Sequence, residues 1–176
     1  MTWGRSLSVS LWRVLLTRGL MLAGLGLSLI FLYSGIDKWF NLTEFKGIVL
    51  AHGLLGENVA FPASAALASV EIVIGVFGLT LILIRGLASL ALVFIGQAAL
   101  FLIFTGYSAA LVVWPPPEPT PCGCSLLASA TAHWPAILMR SAVVAVALGL
   151  ASLFVLWAGP RQAAVSRTHL SVDSHD

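Results

Sequence analysis

Four runs of the chain are each long and apolar enough to cross a lipid bilayer, and no other feature limits its fold as strongly. They cover about 19–39, 62–84, 87–107 and 136–157. A hydrocarbon core of roughly 30 Å takes about 20 helical residues. Hydrocarbon offers no partner to a free backbone amide or carbonyl, so only helices or a closed barrel can span it. Barrel strands alternate polar and apolar residues, and these runs do not. Of the 176 residues, 59% are hydrophobic and 9% charged, whereas soluble domains carry about 25% charged residues. The expected fold is all-α: a polytopic membrane protein, a four-transmembrane-helix bundle with two outer loops. Residues 1–160 would form the membrane domain and 161–176 a polar, disordered cytoplasmic tail. The first run is too long for a signal peptide and is followed by "YSGIDKWF" rather than a small-residue cleavage site, so it reads as an uncleaved helix.

The lipid bilayer is therefore the first expected partner. The net charge of +2 is too small to suggest nucleic acid, and no basic run supports it. Four spans put both termini on one side. That side would carry Arg5, Arg13, Arg18, Arg85, Arg161 and Arg167, and the other Lys38, Lys46 and Arg140. Six against three predicts cytoplasmic termini by the positive-inside rule. The expected location is the bacterial inner (cytoplasmic) membrane, with the loops at about 40–61 and 108–135 in the periplasm. In the first of these loops Phe45, Ile48, Val49 and His52 recur at helical spacing, which predicts a short amphipathic helix in the interface. In the second, "WPPPEPTP" forbids helix and favours a stiff polyproline II run. A short surface helix over "SLLASATAHWP" would lead into the last span.

That second loop holds the only two cysteines, Cys122 and Cys124, one glycine apart. An oxidising compartment suits a thiol role, and the side was assigned from arginines alone. A disulfide between residues two apart needs a bent backbone, which Gly123 permits. Such a bond should be strained and therefore reducible. It closes too short a loop to stabilise the fold. A redox pair is the leading reading. Two thiolates would also suit a soft ion such as Cu(I), with His133 as a third ligand, and the bland alternative is two small residues without a role. The redox reading assigns no metal.

Three further groups stand out. Glu71 lies near the middle of the second span, where an unpaired ionisable group costs roughly 2.5–3.5 kcal/mol or more, so it should face the bundle and find a partner. Gln97, at similar depth in the third span, is the expected partner. Together they could contact a quinone headgroup, or Glu71 could relay protons; the bland reading is a polar clasp between helices. Lys38 reads either as a snorkelling anchor beside Trp39 or as a cation below the cysteine loop. Lys38 or Arg140, which opens the fourth span, could lower a thiol pKa. Small residues (Gly19, Ala23 and Gly26; Gly75 and Gly78; Ala142, Ala145 and Gly149) predict tight helix contacts.

Taken together, these residues resemble a known family. "FLYSGIDKWFNLTEF" looks like the opening motif of the DoxX-like membrane proteins, with Ser-Gly-x-x-Lys at its centre. "ASVEIVIGVFGL" resembles their second-helix motif, a Glu followed four residues later by Gly, here Glu71 and Gly75. "CGC" after the third span is similar to the Cys-Gly-Cys of the methylamine-utilisation MauE branch. The three motifs occur in the family's order over about residues 20–157. The resemblance implies a four-helix membrane bundle tied to redox chemistry and to maturation of a disulfide-rich exported dehydrogenase. The branch often continues Cys-Gly-Cys with Phe-Gly, whereas this chain has Ser125-Leu126.

The function expected is thiol–disulfide exchange through Cys122 and Cys124, supporting disulfide formation or maturation of exported proteins. Glu71, Lys38 and Arg140 would assist. Two cysteines make one exchange site and no relay. A periplasmic thioredoxin-like protein or the maturing exported protein is thus the expected partner, within a homo- or hetero-oligomer if a second subunit completes the relay. Quinone is a candidate electron acceptor, with Glu71 and Gln97 as its contacts. The alternative is a non-catalytic membrane anchor or assembly subunit of a redox complex.

Overall fold

A computed structural model describes residues 3–121 and 133–172, with side chains described over 14–86, 89–121 and 133–157. The cysteines, and the short helix expected over the segment that follows them, lie outside the described residues. Among the described residues five helices run α1 (Trp3–Phe40), α2 (Leu42–Ala51), α3 (Glu57–Arg85), α4 (Leu87–Val113) and α5 (Trp134–Val172). Four contain stretches long and apolar enough to cross a membrane: Val14–Phe40, Glu57–Arg85, Ser89–Val113 and Trp134–Trp157. The chain is an all-α, multi-pass membrane protein.

The helix ends follow local chemistry and differ from the expected boundaries where proline was over-read. Pro62 was expected to open the second span, but α3 begins at Glu57 and holds Pro62 in its second turn. Only one intrahelical bond is lost there. α4 runs past Tyr107 to Val113 and stops where Trp114 (φ −121°, ψ 78°) leaves the helical region. Trp114 precedes Pro115, and a residue before proline is driven away from helix. Pro135 sits in the first turn of α5, where its missing N–H costs nothing. The tail from 161, expected as disordered, continues α5 to Val172. Arg161, Gln162, Ala163 and Ala164 are good helix formers and carry the helix past Pro160.

Between α3 and α4, Gly86 (φ +57°) closes a one-residue turn, its N–H donating to the Ile82 carbonyl. An L side chain is disfavoured at that φ. Ser89 donates to the carbonyls of Leu81 (2.8 Å) and Gly86 (3.1 Å) and ties the two helix ends together. At the other end α2, the expected short helix, follows α1 after a single residue. It buries Phe45 and Val49 against Ala60 of α3, so its apolar stripe packs on the bundle rather than lying free in the interface.

α1 and α3 run antiparallel, α1 and α4 parallel, and α4 and α5 antiparallel. The contacts that show this are Ser28 with Gly78 and Gly35 with Ala68, then Gly24 with Phe94 and Phe31 with Phe101, and last Thr105 with Ser141 and Phe94 in one cluster with Leu148. α4 is the most enclosed helix. It carries the core residues Leu90, Val93, Phe94 and Ala98, which meet Ile82 of α3 and Leu148 of α5. α2, the proline segment and the start of α5 all lie at one end of the bundle, and the Gly86 turn lies at the other.

The α1 and α3 backbones cross in close contact. A Cβ on Gly75 would sit 2.6–2.8 Å from Leu32 backbone and Cβ atoms, and one on Gly35 2.8 Å from the backbone of Ala68 and Ile72. Gly75 and Gly78 act as expected. On α1 the stripe of small residues is Gly24, Ser28 and Gly35, all buried. The expected Gly19 and Gly26 have nothing within 4 Å, and Ala23 is exposed. The expected stripe counted only glycine and alanine, and it missed Ser28, the small residue in helical register with Gly24 and Gly35.

Candidate functional site at the α2 end of the bundle

Lys38, in the last turn of α1, points inward. Its side chain is 6% exposed and that of Glu71 1%. The Lys38 Nζ donates to both Glu71 oxygens (2.5 and 2.7 Å) and to Ser34 Oγ (2.9 Å). An ammonium has three donors, and all three are used. Phe45 of α2 and Phe104 of α4 bring their rings to 5.4 and 5.8 Å from Nζ, within cation–π range. Four helices thus converge on one nitrogen.

This arrangement corrects two expectations. Lys38 is neither a snorkelling anchor nor a free cation for a thiol, because α2 covers it and Glu71 occupies it. The partner of Glu71 is Lys38 and not Gln97. Gln97 Nε2 donates to Ser28 Oγ (3.0 Å) and, more weakly, to the Gly24 carbonyl (3.3 Å), binding α4 to α1 deeper in the bundle. Its Oε1 is buried without a partner among the described residues. A shallow apolar groove of about 210 Å³, lined by Trp39, Ser69, Ile72 and Val73, lies across the α1–α3 pair, and neither Glu71 nor Gln97 lines it. Both Glu71 oxygens and the Gln97 amide nitrogen are thus engaged within the protein. Arg140, in the second turn of α5, is exposed.

The motif residues of the two helices therefore work together. Gly35 and Gly75 let the α1 and α3 backbones touch, and that contact brings Lys38 onto Glu71. The serine of Ser-Gly-x-x-Lys fills the third donor of the lysine. The pairing was hidden in the sequence because residues 33 apart become neighbours only through the crossing.

A second polar cluster sits closer to the proline segment. His52 caps α2 and is 3% exposed. Its Nε2 lies 3.2 Å from the Pro121 carbonyl and its Nδ1 2.7 Å from the Tyr107 hydroxyl. A carbonyl can only accept, so Nε2 carries the hydrogen and Nδ1 accepts from Tyr107. The Trp134 ring of α5 packs edge-on at 4.9 Å. Burial pushes the imidazole below its ordinary value of 6.5, partly opposed by the Pro121 carbonyl, which favours the charged ring. The ring therefore stays neutral at pH 7. Sequence reading placed His52 on the apolar stripe of α2 and missed this role. Tyr107 and Trp134 flanking the proline loop were the available signal.

Pro121 immediately precedes Cys122 in the sequence. The polar cluster thus anchors the described end of the segment that carries both cysteines. The sequence model of the family described as methylamine utilisation protein MauE matches residues 12–158. No curated protein and no solved structure matches the chain.

Proposed function

The chain belongs to the MauE family of membrane proteins, linked to methylamine utilisation, and from that premise we propose that it is a membrane thiol–disulfide exchange protein acting through Cys122 and Cys124. The observation that carries the reading is the sole cysteine pair, one residue beyond a carbonyl held by a buried histidine. A thiolate of the pair attacks a partner disulfide, breaking that S–S bond and forming a mixed disulfide. The second cysteine displaces the partner, which leaves as a dithiol with the electron pair and two protons. Two thiols of a maturing exported protein then reduce the Cys122–Cys124 disulfide by the reverse steps. The net electron flow is from the exported protein to the partner disulfide, for which a periplasmic thioredoxin-like protein is the fitting class.

The cysteine loop lies on the periplasmic side of the inner membrane in this reading, on the strength of the arginine count. Arg140, exposed near the start of α5, is the cation left to favour a thiolate. Lys38 and Glu71 hold the bundle together. Alkylation trapping in cells tests the proposal. The pair should change redox state when the cell's periplasmic oxidation machinery is removed, and Cys122→Ser should abolish maturation. A pair fixed in one state, or a silent Cys122→Ser, would sink the idea.

One observation favours a second reading, a membrane assembly subunit: Lys38, Glu71 and the Gln97 amide nitrogen are all engaged in joining helices. Full function in a Cys122→Ser/Cys124→Ser protein that still copurifies with a stoichiometric partner would select it.

A further inference from the structure

We propose that His52 is a positioning residue for the Cys-Gly-Cys segment, holding the peptide from which Cys122 extends. The Pro121 carbonyl and the Cys122 amide belong to one planar peptide unit. A group that fixes this oxygen fixes the plane of that peptide. Proline supplies the rest, because its ring locks its own φ. His52 is suited to the task because it is itself fixed from three sides. It caps α2, its Nδ1 accepts from Tyr107 of α4, and Trp134 of α5 packs across its ring. Both ring nitrogens are used, and the residue is 3% exposed. An imidazole is costly to bury unless its polar atoms are paired, so the donor to Pro121 is a built contact.

Positioning matters for this pair in particular. A disulfide between residues two apart forms only from a narrow set of backbone conformations. Fixing the peptide at one end of the segment narrows the conformations open to the pair, and this bears on both the reactivity of Cys122 and the thiol–disulfide equilibrium. The inference deepens the exchange reading above and takes its purpose from it, but the contact itself can be tested without it.

The experiment uses the full chain in mild detergent, with two readouts. One is the alkylation rate of Cys122 by a maleimide in a Cys124→Ser background. The other is the dithiol–disulfide equilibrium of the intact pair against glutathione. His52→Ala should change the alkylation rate and shift the equilibrium, each by more than about twofold and by no more than the roughly fivefold equivalent of one net hydrogen bond. His52→Gln, which keeps a donor near the Nε2 position, should restore both readouts to within about twofold. Thr105→Ala removes an α4–α5 hydrogen bond elsewhere and should move neither. Should His52→Ala not fold, His52→Asn replaces it, since the shorter amide leaves Pro121 unheld. Wild-type values in His52→Ala or its replacement, or an equal shift in Thr105→Ala, overturn the proposal. If the wild-type pair forms no disulfide, the exchange reading fails, and the alkylation readout still decides whether His52 holds the segment.

Discussion

Lys38 and Glu71 are the two residues whose placement in the fold carries most risk. Each is a charge taken out of water, and removing one partner of a buried pair strands the other at a cost of about 3–5 kcal/mol. Glu71→Ala should therefore lower unfolding free energy in mild detergent by about that amount. Lys38→Met/Glu71→Leu, which leaves no charge, should be less destabilised than either single variant. A double variant no better than the worse single would show that the two do not act as a pair. His52 makes a pH-dependent prediction of opposite character. Its folded pKa lies below 6.5, so the unfolded chain binds the proton more readily. The neutral ring's contribution is complete above about pH 6.5 and is lost as pH falls through the lower folded value. Tyr107 is a titratable group that faces the ring, across the hydrogen bond to Nδ1. Melting temperature should fall from pH 7.5 to 5, and His52→Gln should flatten that dependence. Parallel curves would place the titrating group elsewhere.

At the level of elements, the α1–α3 crossing has a sharp steric test. Gly75→Ala must displace Leu32 backbone atoms 2.6 and 2.8 Å from the new Cβ, and backbone cannot yield as a side chain can. A loss of about 1–3 kcal/mol is expected from overpacking, and more if the separation also breaks Lys38 from Glu71. Gly149→Ala and Gly26→Ala, with nothing within 4 Å, should be neutral or slightly stabilising in the same unfolding measurement. A neutral Gly75→Ala would contradict the close crossing. These glycines also show what was legible beforehand. The four spans could be read from apolar length because the bilayer sets a length that any spanning helix must meet. The short helix α2 could be read from the spacing of Phe45, Val49 and His52. Which helices touch was not legible, because in lipid every face is apolar and hydrophobic patterning no longer marks the inside. The buried face of α1 is written in Gly24, Ser28 and Gly35, small residues that composition does not separate from Gly19 and Gly26. Lys38 was misread for a related reason. Its position near a span end suits a snorkelling anchor, and only the packing of α2 over it turns it inward.

For the whole molecule, helix length and topology together make a claim about sidedness. α1 has 38 residues and α5 39, each roughly 57 Å at 1.5 Å per residue and so longer than a bilayer needs. The start of α1 and the end of α5 lie at the same end of the bundle, the one closed by the Gly86 turn. Arg5 and Arg13 fall in the N-terminal part of α1, Arg161 and Arg167 in the C-terminal part of α5, and Arg85 lies at the turn itself. The proposed function takes this end as cytoplasmic by the positive-inside rule, and the His52 end with the cysteine loop as the outer one. A fluorescent protein fused after Asp176 should fold and fluoresce in the cytoplasm. A membrane-impermeant maleimide should reach Cys122 and Cys124 from the outer face once they are reduced. Replacing Arg5, Arg13, Arg18 and Arg85 with alanine leaves two cations against three, and mixed orientation should follow, seen as a fraction of molecules labelled only after the membrane is opened. An unchanged single orientation in that variant would mean that something other than the arginine balance sets the direction. The cysteine pair would then need a new argument for the compartment in which it works.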